Sequence, residues 1–224
     1  MSDLDILKRE WDKALSDFCS AEVSDKWWSH VVEKYSSEDR KYHNHDYLLR
    51  TFQFVKENIE KLKSPQAVAM AIFFQKLEYD PSSGDGDAAC VERYKQFLQE
   101  AQIDHEEDER AKCTLELLEA SKSNLTEEHM TVGSSGAEDR HYLLDALIAV
   151  LGAPPPEYEL YTARVQAEYT HLSDAAYKQL RLKILQSLLL IPNVYATREF
   201  QERYEKQARE NIRKEIEKLK QSQH

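Results

Sequence analysis

An all-α fold, a single helical bundle spanning residues 1–224, is what the sequence predicts, and three observations carry it. Glycine occurs 5 times and proline 6 times in 224 residues, too little material for the tight turns that join strands. Apolar residues recur three or four positions apart along nearly the whole chain, the period of a helix with one buried face. No segment alternates apolar and polar residues as a half-buried strand does.

Over 3–19, Leu4, Leu7, Trp11, Leu15 and Phe18 form one stripe. Ser24 is expected to cap a second, short helix holding Trp27, Trp28, Val31 and Val32, because its hydroxyl can accept a free first-turn N–H. Asn44 has the same part before a helix striped with Leu48, Phe52, Val55, Ile59 and Leu62. Ser64-Pro65 opens the next helix, with proline at a first position that needs no N–H. Ala67 to Phe74 is an unbroken apolar run, and a helix apolar on every side belongs at the centre of a bundle. Asp80 to Asp87 (DPSSGDGD) reads as a loop, and helices over 87–102 and 106–121 follow. SKSN and VGSSGA make 122–137 a flexible connection, too short to mark a domain boundary. A helix over 138–151 stops at Gly152 ahead of Pro154-Pro155-Pro156. Helices over 157–172 and 174–190 come next, interrupted at Pro192. The last covers 197–221, striped with Phe200, Tyr204, Ala208, Ile212, Ile216 and Leu219. Glu202/Lys206, Glu205/Arg209 and Glu210/Lys214 are i,i+4 pairs expected on its wet face.

Charge and cysteine usage narrow the function classes. Thirty Lys+Arg against 41 Asp+Glu leave a net charge of −11, a field that repels nucleic-acid phosphates and anionic lipid. No nucleic-acid or membrane partner is expected. The chain has no apolar run long enough for a membrane span, and MSDLDILKREW lacks the basic and apolar regions of a signal peptide. Cys19, Cys90 and Cys113 are an odd set without a C-x-x-C pair, which reads as reduced thiols in the cytoplasm. Neither G-x-G-x-x-G nor G-x-x-x-x-G-K occurs, against a dinucleotide or P-loop site.

Several short segments carry residues that could do chemistry. They are Arg40-Lys41-Tyr42-His43-Asn44, then Phe73-Phe74-Gln75-Lys76 with Tyr79-Asp80-Pro81 behind it, then Asp145-Ala146-Leu147-Ile148. Ala167-Glu168-Tyr169, Tyr195-Ala196-Thr197 and Ala208-Arg209-Glu210-Asn211-Ile212 follow in order. Together, from Trp11 to Leu219, they resemble a family of predicted metal-dependent phosphohydrolases in the HD superfamily. The resemblance implies a helical fold of the HD-domain type and a divalent metal held by imidazoles and carboxylates. The family pattern R-x-Y-H-N-x-x-H is matched by Arg40, Tyr42, His43 and Asn44, but Tyr47 takes the last histidine's place. The signature His-Asp pair, in a context W-F-H-D-x-x-Y-D-P, is Gln75-Lys76 here. The D-N-E-x-x-S-A loop reads Asp85-Gly86-Asp87-Ala88-Ala89-Cys90-Val91, and D-x-D-L keeps only Asp145. Two expected arginines are Gln166 and Ile191, whereas Arg181 is retained.

These departures share a direction. A phenol of pKa near 10 is a poor ligand, an amide is neutral, and an ammonium beside a dication costs Coulomb energy. The ancestral positions His43, Tyr47, Gln75, Lys76 and Asp145 therefore predict that the metal site is lost and that no cofactor is held. Asp80, Asp87 and Arg181 are expected around that site. Lys76 either replaces the metal's charge and pairs with a leftover acid, Asp145 first and Asp80 second, or snorkels to solvent at the helix end. His43 reads first as a structural histidine that orients its loop. His141 and Asp145, i,i+4 on one helix, read as a surface pairing before a metal pair. Asp80, Asp85 and Asp87 read as a solvated turn rather than a calcium loop, Cys90 as a packed thiol, and Trp27, Trp28, Phe73, Phe74 and Tyr169 as core before pocket.

Three functions remain open on these residues. The first is a non-catalytic protein that binds a small molecule or another protein. The second is an enzyme turned to metal-free acid/base chemistry with Lys76, Tyr47 and His43. The third is a metal phosphohydrolase with displaced ligands, drawn from His43, His45, Asp46 and Asp145. The identity of the ligand and the oligomeric state are not legible.

Overall fold

The structure, a computed structural model, describes residues 2–83 and 85–221; Gly84, in the loop expected at Asp80–Asp87, lies outside them. The fold is an all-α, single-domain helical bundle. Its elements are α1 (Asp3–Ala14), α2 (Ala21–Tyr35), α3 (His45–Lys56), α4 (Pro65–Phe74), α5 (Gly86–Glu100) and α6 (Glu109–Ser123). They continue with the one-turn α7 (Glu127–Met130), α8 (Asp139–Ile148), α9 (Pro155–Glu168), α10 (Asp174–Leu190) and α11 (Arg198–Gln221). Short 3-10 turns at Ile59–Lys61 and Ala149–Gly152 extend α3 and α8. No described helix is long and apolar enough to cross a membrane.

The apolar run decides the architecture. Ala67, Val68 and Met70 to Phe74 are all buried, so α4 needs neighbours on every side. It packs against α1, α3, α5, α6 and α8. Around its C-terminal half the rings of Trp11, Trp27, Phe73, Phe74, Tyr94 and Phe97 stack and cross with centroids 4.9–6.4 Å apart. Trp27, Trp28, Phe73 and Phe74 belong to this core or pack on it.

Local signals place most helix starts. Ser2 forms a capping box with Asp5, Asn44 accepts from the Asp46 amide, and Pro65 sits at the first turn of α4. At α2 the expectation is corrected. Ser20, not Ser24, caps the helix by accepting from the Val23 amide. Ser24 lies one turn inside and accepts from the Trp11 indole at 3.0 Å. Its hydroxyl has a tertiary partner, so it is not needed as a cap.

Three other stretches make tertiary contacts that local pattern does not show. The 122–137 connection, expected to be flexible, has partners in the 193–201 segment. It contains α7 and a buried His129. Asn193 Nδ2 donates to the Glu128 and Thr131 carbonyls at 2.7 and 2.9 Å, and Gln201 Nε2 donates to the Ser134 carbonyl. His141 is buried, not on the surface, and does not pair with Asp145. Its Nε2 is 3.0 Å from Glu128 Oε2, and its Nδ1 accepts from the Glu138 amide. Glu205 and Arg209 do pair, at 2.7 Å, but they turn inward. Glu205 accepts from the Val194 and Tyr195 amides, and Arg209 donates to the Ile191 and Pro192 carbonyls. The irregular stretch 191–196 is held by this pair.

Gly152 ends its turn for want of space rather than for left-handed backbone. A Cβ there would stand 2.6 Å from Tyr204 Cβ and 2.9 Å from the Tyr204 carbonyl oxygen. Gly152→Ala is therefore expected to push α11 off the 149–152 turn and to cost about 1–3 kcal/mol. The effect is read as a lowered urea midpoint with an unchanged denaturant slope.

Candidate functional site

The site lies where the N-terminus of α3, the C-terminus of α4, α9 and α10 face one another. A cavity of about 320 Å³ opens there. His43, Tyr47, Gln75, Lys76 and Arg181 all line it, so residues far apart in sequence share one chamber. Asp145, expected among them, does not line it.

His43, Tyr47, Gln75, Lys76 and Arg181 each have a hydrogen-bond or ion-pair partner. Arg40 donates to the Lys76 and Leu77 carbonyls at 2.7 Å each and stacks over Tyr35 at 4.8 Å. That closes the end of α4 and fixes Gln75 and Lys76. Gln75 Nε2 donates to the Tyr47 hydroxyl at 2.6 Å, with both residues buried. Burial pushes the Tyr47 phenol far above its usual value, so it keeps its proton. The pair is neutral and mutually satisfied, the arrangement that lets polar groups survive burial.

His43 is oriented by a residue the sequence reading did not place in the site. Glu168, at the end of α9, accepts the Tyr42 and His43 amides at 2.7 and 2.8 Å, His43 Nδ1 at 2.7 Å and the Tyr79 hydroxyl at 3.0 Å. Burial acts to raise the Glu168 carboxyl, but these donors, His43 foremost, hold it below its ordinary value. Burial lowers His43 in spite of Glu168. An ionised Glu168 accepts only, so the neutral ring carries its proton on Nδ1 and leaves Nε2 as an acceptor. The signal for Glu168 was present: it continues the inward stripe Tyr158, Tyr161, Val165 of its helix, a place where an acid is out of character.

The two charges in the cavity wall are already compensated. Lys76 Nζ pairs with Asp87 Oδ1 at 2.8 Å, with both side chains partly exposed. The leftover acid is thus neither Asp145 nor Asp80. Asp80 holds a turn, accepting the amide and hydroxyl of Ser82. Arg181 makes a two-pronged contact with Glu215 at 2.8 and 3.1 Å and reaches the Tyr161 hydroxyl. Asp145 is fully buried and serves another purpose. It accepts the Ala196 amide at 2.7 Å and the Thr197 amide and hydroxyl at 2.8 and 2.6 Å, which ties α8 to the start of α11. Cys90 is a packed thiol that accepts from the Glu78 amide, and burial pushes it up.

This donor set does not fit a divalent cation. The chamber offers one imidazole, two amides (Gln75 and Asn124), phenols and two cations, and no acidic side chain among its lining residues. Metal-ligating residues nearby do not converge either. Asp46 pairs with Arg164, and His45 Nε2 is buried without a partner among the described residues. Among the described residues no group of three or more His, Cys, Asp or Glu side chains could hold a metal ion. The remainder of the lining is apolar, with Leu147, Ile148, Val150, Leu151, Val165 and Leu188 forming one wall. An aliphatic wall facing a few fixed polar groups is the composition of an organic-ligand pocket. No family model, curated protein or solved structure matches the chain.

Proposed function

We propose that the chain is a degenerate HD-type helical bundle whose metal centre has been replaced, and that it is a non-catalytic small-molecule-binding protein. One observation carries the reading. Of the positions at which the resemblance implies metal ligands, His43, Tyr47, Gln75 and Lys76 gather on a single chamber, yet the last three present a phenol, an amide and an ammonium in place of imidazole and carboxylate donors. Imidazoles and carboxylates are what a hydrolytic metal requires. A neutral Tyr47–Gln75 pair beside an aliphatic wall suits an organic molecule instead.

Two measurements test this on the purified full chain. Titration with Mn²⁺, Fe²⁺ and Zn²⁺ is expected to give no stoichiometric binding, and native mass spectrometry to find a small organic molecule retained. The combined Tyr47→His, Gln75→His and Lys76→Asp variant is expected to gain metal affinity over the parent, as a scaffold of HD type would. A parent that binds one divalent ion tightly and hydrolyses phosphoesters contradicts the proposal.

A second reading has a specific contact in its favour. The 2.7 Å His43–Glu168 contact orients an imidazole as general bases are oriented. In that case the chamber converts its ligand without metal, and His43→Gln abolishes turnover while leaving binding within a few fold.

A further inference from the structure

Beside the chamber runs a second concavity of about 440 Å³, within the range of about 300–1,000 Å³ typical of ligand sites. Its walls are Leu125, Leu144, Leu180, Ile191 and Val194, and its exposed lining is almost wholly apolar. Leu125, Leu180 and Ile184 remain 43%, 38% and 41% exposed, an apolar surface left open to water. The groove adjoins the chamber. Asn124, Ile148, Ile184 and Leu188 line both. Charge is uneven across them. Lys76 and Arg181, each paired with an acid outside the lining (Asp87 and Glu215), line the chamber and Lys183 lines the groove, with no acidic residue lining either. That stands against a chain of net charge −11.

Resting on the small-molecule-binding reading, we propose that chamber and groove together hold one molecule, a single-chain amphiphile with an anionic carboxylate head, of the fatty-acid class. The head lies in the chamber, where the Lys76 ammonium and the Tyr47 hydroxyl can donate to it. The alkyl chain crosses the shared lining residues and covers Leu125, Leu180 and Ile184. The polar chamber beside the groove distinguishes this occupant from a second protein, which would cover the groove without reaching Lys76. Burying the chain supplies most of the affinity through the hydrophobic effect. The head selects against uncharged analogues through charge-assisted hydrogen bonds.

The test uses the full chain and isothermal titration with decanoate, its shorter and longer homologues, decanol and decyl phosphate. Affinity for the carboxylates is expected to rise about three- to fourfold per added methylene until the groove is full. Decanol is expected to bind roughly tenfold more weakly than decanoate, and decyl phosphate more weakly than decanoate. Leu180→Glu, at an exposed position that does not threaten folding, flattens the chain-length series, and Lys76→Met weakens every homologue by a similar factor. If short carboxylates bind but affinity does not depend on chain length, the amphiphile proposal fails while the binding reading stands. Tighter binding of decyl phosphate overturns the carboxylate assignment. Self-association of the chain that Leu180→Glu abolishes would assign the groove to a second copy and overturn the proposal. Failure of every organic probe, with a divalent metal bound instead, defeats both.

Discussion

Glu168→Ala unfolds the chain far more readily than the loss of one exposed carboxylate would. The side chain is buried and accepts from two backbone amides, His43 Nδ1 and the Tyr79 hydroxyl. Removing it leaves the Tyr42 and His43 amides without an acceptor in a segment packed against α9. Each unmet buried donor costs about 1–3 kcal/mol, and breaking a buried charged contact from one side costs about 3–5 kcal/mol. A loss of about 3–5 kcal/mol in urea unfolding is expected, and Glu168→Gln, which keeps one acceptor, loses less. A cost below about 1 kcal/mol would show that water replaces the carboxylate freely. Burial of His43 sets an acid sensitivity that this contact opposes. Burial holds His43 below its unfolded value of 6.5, so the unfolded chain takes up the proton first. Stability from this group is complete above 6.5 and is lost as pH falls below it. His45 and His129, also lowered by burial, act in the same direction.

Much of the fold was legible because it rests on local periodicity. The Ala67–Phe74 run could only be central, and α10 was predicted at its observed limits. What was misread depends on which groups find tertiary partners. Ser24 had the chemistry of a cap but is engaged by Trp11. The polar 122–137 segment looked free because Asn193 and Gln201, which hold it, lie more than fifty residues away. At the site, only the resemblance implied that His43, Tyr47, Gln75 and Lys76 share a chamber. It could not choose Lys76's partner. Asp80, Asp87 and Asp145 are chemically alike, and only the direction of the chain after α4 brings Asp87 to 2.8 Å. Glu168 and Asp145 carry a common signal that a closer reading can use: a lone acid on an otherwise apolar helical face, which survives burial only by collecting donors.

Asp145→Asn is expected to cost about 2–4 kcal/mol, and its cost is expected to depend on pH in a direction that identifies the charge state of the buried carboxyl. Three donors converge on Asp145, from the Ala196 amide and the amide and hydroxyl of Thr197. An asparagine can accept with one oxygen only and turns an NH₂ toward another donor, so at least one backbone amide of 196–197 goes unmet. Burial pushes the carboxyl from 3.8 up to about 7, against the hydrogen bonds that favour its ionised form. A raised folded value means that the native state binds the proton more tightly than the unfolded chain. Stability from Asp145 is therefore full below 3.8 and declines as pH rises to about 7. The histidines act oppositely over part of this window, so the parent curve alone does not isolate the group. The difference between parent and Asp145→Asn does, because the histidine contributions cancel for sites that do not touch Asp145. That difference is expected to shrink from acid to neutral pH, measured by urea unfolding at each end of the window. A difference that grows toward neutrality would mean that the three donors outweigh burial and that the bundle keeps an ionised carboxylate where α8 meets α11.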